Sequence, residues 1–234
     1  MRFHASNFFD LTQFEHAQLF EGLENVWDVL GDPLKNFCSH LSGRTIEGEV
    51  MEGAHLMGDG IYIGEGVVVE PGALIKGPCY IGRNAEIRHG AYIRGNVIVG
   101  EGAVVGHSTE VKNSIFLDEA KAGHFAYVGD SVLGKDTNLG AGTKLANLKI
   151  IPGNVVLNID GEKLDSGRRK FGAILGDKVE LGCNSVTSPG TILAPGSMVY
   201  PCIGVRGVFL RKTVLRESNM VLKRKQNFPD IGVK

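Results

Sequence analysis

Three cations, Lys76, Arg94 and Lys112, are evenly spaced along the chain, each eighteen positions after the one before. If the chain returns to the same place at that interval, they form one column at the ~4.8 Å spacing of neighbouring strands. Like charges opposite one another destabilise a sheet, so such a column invites an anion, most simply a phosphate. The alternative is that the three long side chains splay into solvent. A second basic group, Arg168, Arg169 and Lys170, allows the same two readings. His89, His107 and His124 keep almost the same interval, the second step being one position shorter than the first. Three stacked imidazoles could hold zinc or serve as surface and packing residues, the reading we favour for His89 and His107. His124 differs, with Gly123 before it and Tyr127 three positions after it. A histidine so placed could take up a proton near neutral pH.

These spacings carry meaning only if the fold shares their period, and the apolar residues supply it. Ile63, Val69, Ile75, Ile81, Ile87, Ile93, Val99, Val105, Val111 and Leu117 recur at every sixth position, and the frame returns at Leu133, Leu139, Leu145, Leu175, Leu181 and Leu193. Two positions before most of these anchors stands a small or β-branched residue, such as Ala73, Ala85 or Ala91. Residues two apart on a strand share a face, so each unit turns one large and one small side chain inward. Glycine, 33 of 234 residues against a usual ~7%, clusters near the anchors where the chain must turn. A short strand and a corner, repeated at every sixth position, predict an all-β parallel solenoid in which each unit is one side of a coil; three sides would make a coil of eighteen residues, though the period by itself fixes neither the triangle nor the handedness.

The frame fails at 118–132 and at 148–172, and insertions in a repeat are where functional groups are expected. The second stretch contains a hairpin pattern turned at Asp160-Gly161. Ahead of the repeat, apolar residues from Leu11 to Leu41 recur at every third or fourth position, which predicts amphipathic helix broken at Gly31-Asp32-Pro33. The expected organisation is a helical segment over 1–45 that caps an end of the solenoid, a β-helix over 46–204 with the two inserted loops, and a basic tail over 205–234. With 25 basic and 26 acidic residues the chain offers no global attraction to nucleic acid or to an anionic membrane. Cys38, Cys79, Cys183 and Cys202 show no CxxC spacing, and no long apolar run is present. A soluble, cytoplasmic protein is expected.

The words K-A-G-H-F-A-Y-V-G-D at 121–130, N-L-G-A-G-T at 138–143 and Asn147 resemble the acetyltransferase domain of the bacterial bifunctional uridyltransferase/glucosamine-1-phosphate acetyltransferases. T-K-L-A-N-L and D-S-G-R-R-K-F-G-A-I-L-G-D look closer to the archaeal-type sugar-phosphate nucleotidylyltransferase/acetyltransferases, and V-W-D-V-L at 26–30 is similar to their linker helix. The hexapeptide repeat itself looks like that of the left-handed β-helix superfamily. Within that superfamily the gamma-class carbonic anhydrases bind zinc, but the H-x4-H pair of their pattern does not occur here.

The resemblance implies acetyl transfer from acetyl-CoA to an amino-sugar phosphate, with glucosamine-1-phosphate leading, and no metal. It does not imply uridylyl transfer, since the stretch ahead of the repeat, 1–45, would not hold a nucleotidyltransferase domain. Carried over, it makes His124 the general base and puts Arg94 and Lys112 on the sugar phosphate. Tyr127 and Asn138 would hold the sugar and orient the acetyl group, with Asn138 or a backbone amide near Ala141 as oxyanion donor. Asn147 would contact the sugar and Lys170 would lie near the amine and phosphate. The backbone around Ala141 and the coil near Cys183 would take the pantetheine arm. It further implies a homotrimer with sites between subunits. Arg211, Lys212 or Arg216 of the tail could reach the coenzyme's phosphates, or the tail could be no more than a solvated basic segment. A second expectation is a non-catalytic subunit that partners a separate nucleotidyltransferase.

Overall fold

Short strands leave no room for more than one inward pair per unit, so the chain turns after each and stacks on the coil below. The computed structural model describes residues 2–218 and shows three parallel sheets wound into a solenoid. The first face has nine strands from Arg44–Ile46 to Val208–Phe209, and the second has nine from Glu49–Val50 to Val214–Leu215. The third has eight, from His55–Met57 to Gly204–Val205. This is the expected solenoid of hexapeptide repeats, of the left-handed parallel β-helix kind. Its interior is a ladder of anchors such as Ile63, Ile81 and Val99 on one face and Ile75, Ile93 and Val111 on another, all fully buried.

Two corrections concern the frame. The inward position after Val111 is taken by Phe116, and Leu117 points outward into a second apolar cluster. Val97 pairs with Ser114 and Ile115 with Val132, so the corners after Val111 and after Val128 are each one residue shorter than the repeat. The stretch 118–132 is therefore no inserted loop. It belongs to the regular coils and carries the strands Lys121–His124 and Tyr127–Gly129, in register with those on either side. The stretch 148–172 is a true excursion, because Val132 pairs directly with Ile174. It carries an antiparallel hairpin, Val156–Ile159 with Glu162–Asp165, turned at Asp160 and Gly161 with φ of 53° and 92°. The solenoid also runs on past 204 to Leu215. Arg216 of the expected tail lies over the Tyr200 ring at 5.4 Å, and the basic run at 223–225 lies outside the described residues.

The amino-terminal segment departs from expectation in both form and place. Short 3-10 turns at Ala5–Asn7, Ala17–Phe20 and Val26–Leu30 stand where a helix was expected, and the one α-helix among the described residues, α1, spans Asp32–His40 with Pro33 in its first turn. Gly22 sits at φ 69°, which a right-handed helix cannot include. Nor does the segment close an end. The middle residues of the first face, Tyr80, Ile98, Ile115, Val132, Ile174 and Ile192, point outward and are apolar, so that face must be covered to leave water. Phe8, Trp27 and Leu30 of the segment, with Val155, Leu157 and Phe171 of the excursion, cover it. Trp27 sits between Phe3 and Phe171, with ring centroids at 4.9 and 5.8 Å. Among the described residues no helix is long and apolar enough to cross a membrane.

Candidate functional site

Where the third face turns into the first, an open cleft of about 480 Å³ is lined by six cations: Lys35, Arg94, Lys112, Arg168, Arg169 and Lys170. They come from three parts of the chain, namely α1, the solenoid corner and the end of the excursion. The basic column is real: Lys76 stands beside Arg94 in register. Its repulsion is relieved within the chain, however. Arg94 Nη1 lies 2.5 Å from Glu110 Oε1, which holds its guanidinium more firmly protonated than usual, and Lys112 Nζ lies 3.4 Å from Asp130 Oδ2. Lys76 Nζ sits 5.2 Å from the centre of the Tyr92 ring and takes no part in the cleft.

Asp130 is the residue the sequence reading missed. It is 4% exposed, and its Oδ1 accepts from Asn113 Nδ2 at 2.9 Å while Oδ2 accepts from Lys112 and from Asn147 Nδ2. Asn96, Asn113 and Asp130 occupy successive corners in the left-handed region, at φ of 50°, 44° and 48°, which short Asn and Asp side chains tolerate better than most. Asn147 follows one coil later, so the four recur at a constant interval, one position shorter than three full repeats. That spacing was a readable signal, but it is visible only to a search with the shortened coil in mind. Tyr127 belongs to the same edge. Its pKa is raised, first by burial and then by the carboxylates of Glu110 and Asp130, and Asn147 bonds to its hydroxyl. A side chain at position 129 would meet Tyr127 Oη at 2.6 Å and Asn147 Nδ2 at 2.7 Å, so Gly129 is what lets both come in over the sheet.

The opposite edge of the third face, where it meets the second, carries other candidates. His124 is exposed, and its carbonyl accepts from the Gly142 amide at 2.9 Å. Ala141 and Cys183 follow on the next coils, their carbonyls accepting from Asn184 and Cys202, each at 2.8 Å. Cys183 is exposed and free. His89 and His107 stack at 5.5 Å and 9°, and each Nδ1 faces a backbone carbonyl, of Pro71 at 2.6 Å and of His89 at 2.9 Å. That is how packing histidines behave. Among the described residues no three His, Cys, Asp or Glu side chains converge on one point.

The structure thus gathers Arg94, Lys112 and Lys170 in one cleft with Asn147 and Tyr127 at its border. His124, Ala141 and Cys183 run along the other edge, and Asn138 points out of the second face, exposed between Lys121 and Glu180. From His124, at the end of a second-face strand, the chain turns at Phe125 and crosses the third face as Tyr127–Gly129, so at most about 16 Å of chain separates the two edges.

Similarity to known proteins covers this same region. The chain is 41% identical over 85 residues to the bifunctional sugar-1-phosphate nucleotidylyltransferase/acetyltransferase of Sulfurisphaera tokodaii, a match spanning 36% of this chain and 21% of that protein. It is 35% identical over 110 residues to the bifunctional protein GlmU of Methanococcus vannielii, spanning 47% of this chain and 26% of that one. The chain thus spans about a quarter or less of the length of these relatives. Among solved structures, the polySia-specific acetyltransferase NeuO aligns over 80% of this chain and 92% of its own, with 12% identity and a TM-score of 0.44. The GMPPB C-terminal domain family matches residues 75–210, more than half of the chain, and it is to this family that the chain belongs.

Proposed function

We propose that the protein is an acetyl-CoA-dependent N-acetyltransferase acting on an amino-sugar 1-phosphate, with glucosamine-1-phosphate the favoured substrate. The observation that carries this reading is the cation-lined cleft at one edge of the third face, set opposite the exposed His124 at the other. Long side chains reaching inward from both edges shorten that separation, at most ~16 Å, to the length of one sugar phosphate, laid across Tyr127. Arg94, Lys112 and Lys170 then meet the phosphate, with Asn147 at the sugar.

In that arrangement the His124 imidazole takes the proton as the sugar nitrogen forms its bond to the acetyl carbon and the carbon–sulfur bond breaks. The thiolate of the coenzyme leaves, and the amide and free thiol are the products. A thioester is activated enough that aminolysis needs position, a base and a donor to the developing oxyanion. Asn138, or a backbone amide near Ala141, serves as that donor, and the coil at Cys183 takes the pantetheine arm. One solenoid offers open faces, so we place the remaining wall on a neighbouring copy in a homotrimer.

A thiol-release assay with acetyl-CoA and a panel of amino-sugar phosphates tests this directly; turnover no higher than that of His124→Ala with every substrate would end the proposal. A second reading is favoured by one observation, that the matched relatives are named as bifunctional and this chain spans only a fraction of them. In it the chain is a non-catalytic subunit of a separate nucleotidyltransferase, which predicts co-purification with that enzyme and no heat of binding with acetyl-CoA.

A further inference from the structure

The six cations of the cleft are not equivalent. Arg94 is paired with Glu110 and Lys112 with Asp130. Arg168 is half-buried; burial lowers its pKa against the opposing pull of the Asp130, Asp28 and Asp32 carboxylates, and its Nη2 donates to the Leu30 carbonyl at 2.8 Å. Lys35, Arg169 and Lys170, by contrast, form no ion pair among the described residues. An anion gains most from cations whose charge is not already neutralised, and the one acid on the cleft wall, Asp130, is engaged by Lys112.

The two free cations to which the resemblance gives no role, Lys35 and Arg169, sit on anchored backbone. The Leu30 carbonyl, just ahead of α1, accepts from Arg168 Nη2 and from Asn113 Nδ2 at 3.2 Å, which ties α1 to the excursion and to the solenoid corner at once. Gly31 lies against Arg168 so closely that a Cβ there would stand 3.0 Å from its Nη1. Lys35 is one turn further along α1. Arg169 and Lys170 follow directly on Arg168, and Lys170 is anchored by a backbone bridge to Leu148.

We propose that Lys35 and Arg169, beside Lys170, are the principal ligands of a phosphate group in this cleft, while Arg94 and Lys112, held by their own carboxylates, orient it. The amino-terminal segment is then part of the substrate site as well as a cover for the first face. The inference rests on reading the cleft as the phosphate end of the substrate site, and it does not require acetyl transfer.

The test is calorimetric titration of the full chain with glucosamine-1-phosphate, with glucosamine and with inorganic pyrophosphate. Lys35→Gln and Arg169→Gln are each expected to weaken the sugar phosphate about tenfold or more, the loss of one charge-assisted contact, with Lys35→Arg restoring binding. Lys76→Gln, in the same column but outside the cleft, should bind as the parent does. Circular dichroism establishes that each variant is folded. If Lys35→Gln and Arg169→Gln, folded, bind like the parent, the proposal is overturned. Should the parent bind pyrophosphate in a Lys35-dependent way and not the sugar phosphate, the phosphate site stands and the amino-sugar reading falls. If the parent binds neither, both fall.

Discussion

The Asn113 side-chain amide lies 2.9 Å from Asp130 Oδ1 and 3.2 Å from the Leu30 carbonyl, so one corner residue joins the solenoid's acidic hub to the amino-terminal segment. Asp130 in turn receives Lys112 and Asn147 on its other oxygen. Removing the carboxylate takes an acceptor from the buried Asn147 and a partner from the half-buried Lys112, and leaving a buried donor unsatisfied costs about 1–3 kcal/mol. Asp130→Ala should lower the urea midpoint accordingly and weaken sugar-phosphate binding. Asp130→Asn, which retains an acceptor, should lose less of both. A midpoint unchanged in Asp130→Ala would show that the hub contributes nothing.

His124 is exposed, and among the described residues its ring meets only that of Phe125, at 6.2 Å between centroids. His124→Ala should therefore leave stability within about 0.5 kcal/mol of the parent while slowing acetyl transfer by about a hundredfold or more, the usual cost of losing a general base. The KM for the sugar phosphate should move little, because the phosphate is held at the other edge. Steady-state thiol-release kinetics separate the two constants.

His16 is buried among Phe37 and Tyr80, with ring centroids at 4.6 and 4.3 Å, and its Nε2 has no partner among the described residues. Burial lowers its pKa, against the opposing pull of Glu15, which itself bonds Tyr80 at 2.6 Å. The unfolded chain, with an ordinary histidine pKa of about 6.5, binds the proton more readily than the folded one. Stability is thus complete above about pH 6.5 and falls as the pH drops through that value. Urea midpoints at about pH 7.5 and 5.5, on either side of that value, should differ for the parent and differ less for His16→Leu; equal losses in both would rule out His16 as the cause.

Trp27 is 1% exposed and lies at the junction of the segment, the excursion and the first face. Trp27→Ala should cost about 3–5 kcal/mol, borne by the docking of residues 2–41, since the solenoid's interior cluster does not include Trp27. Limited proteolysis should then cut the amino-terminal segment first. The variant should also bind sugar phosphate more weakly, because α1 carries Lys35 to the cleft. A variant that resists proteolysis and binds normally would show that the segment docks without Trp27.

The six-residue frame was legible because it is set by local geometry. A strand of this length has one inward pair, a corner follows, and each coil repeats the demand, so Ile63 to Val111 mark the interior without any knowledge of what packs where. The basic column and the hairpin at Asp160-Gly161 were legible for the same reason. What lay beyond the repeat was decided in three dimensions. Phe116 displaces Leu117 from the interior because the corner after Val111 loses a residue, which in the sequence looks like a failed frame over 118–132 and not like a shortened coil. The periodic apolar residues between Leu11 and Leu30 do not build a helix; they answer the outward apolar column from Tyr80 to Ile192, which no local spacing announces. The cleft itself depends on bringing Asn113 and Arg168 together on one carbonyl, that of Leu30, just ahead of the helix that carries Lys35. Such a meeting of residues far apart in the chain is determined by packing of faces, not by period.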